Sequence, residues 1–550
     1  MKMRRWRPLA GLTLSGLGGL LSLAVGLPPV SGAAGTQVTA GASAVGTVAP
    51  PAKTAGVRAL PQLAPVGTLG FEVLDAATQQ PMPARLTLLG VNGTPDPQFT
   101  TNDIGRQEGD TVTTYNRLMS ATGRGAVRVP LGTYDIYVSR GPEWELYIAR
   151  AVRLTPAGTE VRTTLRHVVD TTGWVSADFH VHSSCSPDSH VPLRDRVYEF
   201  VSDGVDMIVA TDHNVVCDYA PIIAELGVGH YLTSATGDEL TTAGWGHFGA
   251  FPIPQSESTS GHGAVHIAGR TPAELFHAAH QISPGTLVNV HHPRIDSEIG
   301  YFTMTRFQPR LDRADNPRFS FDFDAVEVLN GYQDAEINHI DQMIDDWLSL
   351  INHGHLVTAT GNSDTHHLNY NLGGYPRNYV HVPDDRLEAV TPLQIAAAVK
   401  AHHSFFTTAP FVRLTANGAG IGDFVHAPGG KAHVEIEVEA APWVTVSMVT
   451  LYLNGQDYKK FPVPRSTQVL RFKVALDVVV KRDAYIVARV DGDQPMAPVI
   501  GDRRRFDVRP LALTNPIFLD VDGDGAFTPL YPHGHRVAGP APAPAPAPHR

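Results

Sequence analysis

Residues 178 to 190 read DFHVHSSCSPDSH, which places three His, two Asp and one Cys in thirteen positions. Imidazole, carboxylate and thiolate are the side-chain groups that bind divalent ions. His180 and His182, two apart on an extended segment, point to the same side and can share one ion or bridge two. Similar groups recur downstream. Asp188 follows in the next loop, His213 ends an apolar run in ATDHN, and Glu239 stands in GDEL. His247 lies in GHFGAF, His291 and His292 in NVHHP, and Asp364 and His366 in GNSDTHH. Twenty of the 26 His fall between Trp174 and Pro410, less than half the chain, which locates the active region. Imidazole mixed with carboxylate favours Zn, Mn or Fe over Ca or Mg, and this many ligands exceeds what one tetrahedral ion takes. The expectation is two or three clustered divalent ions.

The segments that must position these groups are short and apolar. WVSADFHVH, VDMIVATDH, HYLTSATGDE, TLVNVHH, FDAVEVLN, LVTATGNSD and NYVHVP read as strands, most followed by one of the ligand sets. Helices intervene. TPAELFHAAHQ carries Thr271 as cap, Pro272 at the first position and Glu274 to close a capping box, and TPLQIAAAVKAHH repeats the Thr-Pro start. AEINHIDQMIDDWLSLINHG sets Ile337, Ile340, Ile344, Trp347, Leu348 and Ile351 on one face and stops at Gly354. Strand-helix alternation of this kind predicts an α/β class, a barrel or doubly wound sheet, over residues 171–410. Alternating runs between Gly, Pro and Asn turns predict a β-sandwich over 66–170 and another over 411–530. Lys2, Arg4, Arg5 and Arg7, an apolar stretch and VSGAA mark 1–33 as a secretory signal peptide. Residues 34–65 read as a flexible leader and 531–550 as a disordered Pro/Ala tail.

The motifs DFHVHSSCSPDS, GVDMIVATDHN, GDELTTAGWGHF, NVHHPR, FDAVEVLNG and TATGNSDTHH resemble those of the PHP (polymerase and histidinol phosphatase) superfamily. GDEL…GHF, EVLNG and TNPIFLDVDGDG resemble its CehA/McbA branch of metallohydrolases. VPLGTYDIYVSRG is similar to the carboxypeptidase-regulatory-like sandwich. The resemblance implies a distorted (β/α)7 barrel flanked by the two sandwiches, with up to three ions at its mouth. By motif, the implied ligands are His180, His182, Asp188, His213, Glu239, His247, His292, Asp364 and His366. HHP stands where the family more often has Asn-His-Pro, which leaves His291 or His292 as the ligand, with His292 favoured. Asp238 stands where many relatives carry Glu and is expected behind the ligands rather than among them.

The chemistry expected of such a centre is hydrolysis, with a water held between two ions as the nucleophile at neutral pH. Ser183 and Ser184 lack the G-x-S-x-G elbow of a serine nucleophile. Asp212 and Asn214, flanking His213, are expected to orient ligands. Arg294, with Arg377 behind it, is expected to grip an anionic substrate group. The expected function is an exported (periplasmic, secreted or cell-surface) hydrolase of small phosphoesters. The alternatives are a carbamate, carboxylic-ester or amide hydrolase, and a surface-binding protein whose metallated region is a spacer. A net charge of −11 argues against nucleic-acid and anionic-membrane partners, and no segment beyond the signal is apolar enough to span a bilayer. DVDGDGAFTPLY starts like a Ca²⁺ loop at Asp520, Asp522 and Asp524 but has Tyr531 at the twelfth place, and reads as a tight turn. Cys185 and Cys217, in the loops after the first two ligand strands, are open to three states: a disulfide, a thiolate on a metal, or two thiols that never meet.

Overall fold

In the computed structural model, residues 65–531 are described apart from 101–103, 296–298, 332–338, 369–371 and 502–506, together with the strand Val537–Ala538. The signal peptide, nearly all of the leader, Ile337 and most of the 531–550 tail lie outside the described residues, but Val537–Ala538, within that tail, pairs antiparallel with Ala526–Phe527. The strands expected around the ligand motifs form where the apolar runs are. Trp174–Val181, Met207–Ala210 and Thr233–Thr236 pair in parallel, and Met207–Ala210 is buried along its whole length. The three helices also form. Pro272–Ile282 and Pro392–Lys400 both carry the Thr capping box, closed by Glu274 and Gln394 respectively. Ile340–Asn352 buries Ile340, Ile344, Trp347, Leu348 and Ile351 and ends before Gly354, whose φ of 91° only glycine adopts freely.

The class expected from this alternation is corrected. The chain is not an α/β protein with a (β/α)7 barrel: strands hold 39% of the described residues and helices 14%, and among them no barrel closes. The ligand strands divide between two sheets. The three parallel strands continue through Arg377–His381 and Ser404–Thr407, both antiparallel, into Leu511–Thr514, Ala484–Asp491, Met448–Leu453 and Gln456–Pro462. The second sheet orders Asp238–Thr242, Gly246–Phe251, Leu287–Val290, Ala325–Asn330 and Thr358–Asn362. The physical cause is the hairpin of ELTTAGWGHF. It turns the chain back antiparallel with no helix, so a βα repeat is broken at the third ligand motif. Two isolated parallel bridges join the two sheets: His213 to Glu239, both expected ligands, and Val181 to Thr365, each flanked by two expected ligands.

The flanking strands are built on the period of two. In Val66–Asp75, Leu69, Phe71 and Val73 face a core shared with Leu86, Leu118, Val127 and Ile136. A three-stranded and a six-stranded sheet enclose that core. Near the C-terminus, Phe411–Ala416, Lys431–Glu439 and Leu470–Val479 form a three-stranded sheet. Its apolar face packs on the far strands of the large central sheet, so this region shares a sheet with the ligand strands. The described residues form one compact unit. The DVDGDG run is a turn: Asp520 accepts from the amides of Gly523 and Gly525, and Asp524 from that of Ala526. Among the described residues no helix is long and apolar enough to cross a membrane.

The N-terminal sheets are fastened to the Leu193–Ser202 helix by buried charge. Arg85 pairs with Asp203 and donates to the Val499 carbonyl, while Arg140 donates to the carbonyls of Pro83 and Val201. A second fastening joins Glu143 to His167 at 2.7 Å and to the Tyr379 hydroxyl at 2.6 Å. Burial pulls the His167 imidazole down, but the bond and charge of Glu143 outweigh it and leave it raised. The stability this lends is therefore complete below the unfolded His value of ~6.5 and is lost as pH rises through the raised folded value. The melting temperature of His167→Gln should fall short of wild type at pH 5.5–6.5, and the deficit should shrink as the pH is raised further. A deficit that stays constant from pH 5.5 to 9 would contradict this coupling.

Candidate metal centre

The ends of the two sheets bring the expected ligands together. His180 and His182 sit at the end of Trp174–Val181, with ring centroids 5.0 Å apart. Glu239, buried and on the first residues of its hairpin, lies between them and the second sheet. Its carboxylate is 3.1 Å from His180 Nε2, 3.6 Å from His182 Nε2, 2.6 Å from His213 Nδ1, 3.3 Å from His247 Nδ1 and 3.4 Å from His292 Nε2. Asp364 Oδ1 is 3.1 Å from His180 Nε2 and 3.2 Å from His182 Nε2. On the outer side, Asp188 Oδ2 stands 3.0 Å from His213 Nε2 and 3.3 Å from His366 Nε2. All nine expected ligands thus fall in one cluster. Donor sets with their atoms within 4.8 Å of one another include His180, His182 and Asp364; His180, Glu239 and His292; His213, Glu239 and His247; and His182, Asp188, His213 and His366.

These residues fit divalent ions. His180 Nε2, His182 Nε2, His292 Nδ1 and Asp364 Oδ1 are buried with no hydrogen-bond partner. Buried polar atoms are normally satisfied, and leaving one unpaired costs ~1–3 kcal/mol. Three of these, His180 Nε2, His182 Nε2 and Asp364 Oδ1, converge, the carboxylate oxygen 3.1 and 3.2 Å from the two nitrogens, and make a site built for something to sit among them. The separations agree: donors bonded to an ion at ~2.1 Å lie ~3.0–3.4 Å from one another. Two ligands, His292 at φ 26° and Asp364 at φ 49°, also hold left-handed backbone, which costs ~1–3 kcal/mol each and persists only where the surroundings enforce it.

Several supporting residues were not singled out from the sequence. Glu327, in the strand Ala325–Asn330, is fully enclosed and accepts four hydrogen bonds. These come from His180 Nδ1 (3.1 Å), Asn362 Nδ2 (2.8 Å), the His292 amide (2.8 Å) and Asn330 Nδ2 (2.9 Å). Accepting the Nδ1 proton leaves His180 Nε2 bare toward the cluster, the arrangement typical of a metal-binding imidazole. Its signal in the sequence was an acid inside an otherwise apolar run, AVEVLN. Arg196, buried on the Leu193–Ser202 helix, donates to the carbonyls of His182, Thr365 and His367 and pairs with Glu199. It thereby clamps the two ligand loops against each other. Ser186 bonds His182 Nδ1 and the His213 amide.

Other expected site residues stand apart from the cluster. Asp212 accepts from the amide and hydroxyl of Ser183, so it shapes the turn after His182 rather than touching a ligand ring. Asn214 is tied to Thr241 in both directions. Asp238 accepts from the Val265 amide on the other side of the hairpin, and burial pushes its carboxyl up to about 7. Arg294 does not reach toward the donors: it pairs with Asp346, donates to the Phe307 carbonyl and lies over the Phe302 ring. Arg377 is buried against the carbonyls of Gly374, Asp203 and Gly204. Of the His291–His292 pair, His292 joins His180 and Glu239 as a donor set. His291 stacks on His180 with centroids 3.5 Å apart and bonds Glu239, in a space that a Cβ at Gly249 would invade. Cys185 and Cys217 are joined in a disulfide, Cα atoms 6.7 Å apart, which settles the three states left open.

The charges are mutually dependent. Burial alone would raise the Glu239 and Asp364 carboxyls, but the surrounding imidazoles hold both well below the usual range. Burial likewise pulls His180 down, and the carboxylates of Asp364, Glu327 and Glu239 outweigh it. His182, beside other imidazoles, is pushed well down by burial and by His366.

Glu327→Gln replaces two acceptor oxygens with one and turns an N–H toward groups that also donate. Loss of such a support behind a ligand weakens metal binding ~10–100-fold. Calorimetric titration with Zn²⁺ should show that loss while the melting temperature of the metal-free chain changes little. Unaltered affinity would remove Glu327 from the centre.

No family model matches this chain, and no curated protein matches it. Among solved structures it is similar at 13% identity to an engineered protein, TM-score 0.15, over 59% of this chain; it spans 52% of that protein's length. It is similar at 10% identity to a β-glucuronidase of Parabacteroides merdae, TM-score 0.16, covering 80% of this chain and 60% of the other. Likenesses this faint bear on neither fold nor function.

Proposed function

We propose that this chain is an exported metal-dependent hydrolase of small phosphoesters, the activity that the PHP-like motifs imply. The reading is carried by one observation: the unpartnered, buried donor atoms of His180, His182 and Asp364 converge beside the shared carboxylate of Glu239. His180, His182, Glu239 and Asp364 would hold one ion, Glu239, His213, His247 and His292 a second, and Asp188, His213 and His366 a third. Ions so held supply an activated water near neutral pH and polarise a scissile ester oxygen. The chain's own part is to keep its imidazoles aimed, through Glu327 and Ser186, and to close the centre from the core side. The disulfide accords with an oxidising compartment after export.

Charge separates the two substrate classes. Asp188, Glu239, Asp364 and Glu327 bring four negative charges, which two divalent ions balance and three exceed by two. A centre with three ions therefore suits an anionic phosphoester, and one with two ions a neutral carbamate, carboxylic ester or amide. The engagement of Arg294 and Arg377 elsewhere favours the second class to the extent that no anion grip from them is at hand.

Chelation should abolish turnover, and added Zn²⁺ or Mn²⁺ should restore it. His182→Ala should lower turnover to the uncatalysed background with the flanking sheets still folded by circular dichroism. A panel of chromogenic phosphate, carboxyl-ester and carbamate substrates, run beside metal counts per chain, assigns the class. Full turnover by a thoroughly demetallated sample would refute the hydrolase reading.

A further inference from the structure

We propose that the Cys185–Cys217 disulfide is a redox control on the outermost ion position, the one formed by Asp188, His213 and His366. This rests on the metal-hydrolase reading and concerns the regulation of the same centre. The placement of the bond carries it. Cys185 lies three residues before one ligand of that position, Asp188, and Cys217 lies four residues after another, His213. The bond therefore ties the loop that carries Asp188 to the loop that leaves His213, across 32 residues of sequence.

The outer position depends on that tie more than the others do. His180, His182, Glu239, His292 and Asp364 are fully enclosed and stand on strands or at strand ends. Asp188 sits in a loop, its side chain 50% exposed, and reaches the cluster through His213 and His366. The rest of the loop is held by single hydrogen bonds, such as Ser184 amide to Val191 carbonyl, Ser186 to His182 and His213, and Ser189 hydroxyl to the His366 carbonyl. Opening the disulfide removes the one covalent restraint on Asp188 and leaves the strand-borne donors where they are.

Cys185 is the half-buried partner and Cys217 the buried one, so a reductant meets Cys185 first. A dithiol supplies the two electrons. Its thiolate attacks Cys185 Sγ and forms a mixed disulfide, the Cys185–Cys217 bond breaks, and Cys217 leaves as a thiolate that takes up a proton. The second thiol of the reductant then displaces Cys185 as a thiol, and the reductant ends as its own disulfide. The freed Asp188 loop weakens the outer position, and the charge excess that suits an anionic ester falls with the loss of its ion.

The test counts zinc and thiols on the full mature chain. Oxidised protein, protein reduced with a phosphine and Cys185→Ser/Cys217→Ser are each equilibrated with Zn²⁺, desalted and measured for metal by mass spectrometry and for sulfhydryls by titration. The double variant carries no thiol that could itself take up zinc beside Asp212. Oxidised chains should hold one more zinc than the reduced or double-variant chains. Asp188→Asn in the oxidised chain should lose the same single ion, and reoxidation should return the ion to the reduced wild type. Equal zinc counts in oxidised, reduced and double-variant chains overturn the proposal, as do two free sulfhydryls in denatured, unreduced wild type. Absence of zinc from the oxidised wild type would instead overturn the metal-hydrolase reading on which it rests.

Discussion

A buried carboxylate surrounded by imidazoles is the constraint on which the rest of this molecule depends. Glu239 lies within 3.6 Å of six His rings: His180, His182, His213, His247, His291 and His292. A charge taken out of water costs several kcal/mol unless it is paired, and polar rings packed together repel one another once protonated. The arrangement is sustained by carboxylates alternating with imidazoles, so that removing any one member leaves another uncompensated.

Holding those groups in place requires rigid supports, and the structure supplies them in layers. Glu327 fixes one ring and the backbone of another ligand at once, since its four acceptor positions take His180, His292, Asn330 and Asn362. Arg196 does the same for the loops of His182 and His366. The helix that carries Arg196 is in turn anchored to the N-terminal sheets through Asp203, which pairs with Arg85, and through the carbonyl of Val201. Peripheral strands are thus linked to the site through the Leu193–Ser202 helix. Ligands with unfavourable backbone, His292 and Asp364, are tolerated because their neighbours leave no alternative.

The two-sheet arrangement has a consequence for chemistry. The ligands come from the ends of strands in both sheets, and the sheets meet through bridges at His213–Glu239 and Val181–Thr365. The junction between sheets is therefore the centre itself. The inner donors are bound to this junction by strand pairing, whereas Asp188 and His366 lie beyond the strands, on loops. Inner and outer positions differ in rigidity for that reason, before any difference in ligand type.

Local residue patterns determined the strands, the helix caps and the membership of the ligand cluster. An apolar run of four to eight residues reads as a strand wherever it is placed, a Thr-Pro-x-Glu start caps a helix by contacts within four residues, and His or Asp at a strand end is visible in one dimension. Tertiary structure alone decided what depends on partners distant in sequence. The fold class was misread because periodicity reports which face of a strand is buried and not which strand lies beside it; the Asp238–Phe251 hairpin, pairing antiparallel, broke the expected repeat. His291 and His292 both reach Glu239, at 2.9 and 3.4 Å, and Arg294 was claimed by Asp346, 52 residues away. Glu327 stood unassigned inside its motif because three of its four donors come from three other segments. Cys185 and Cys217 became a disulfide because their loops converge, a distance that no spacing along the chain encodes.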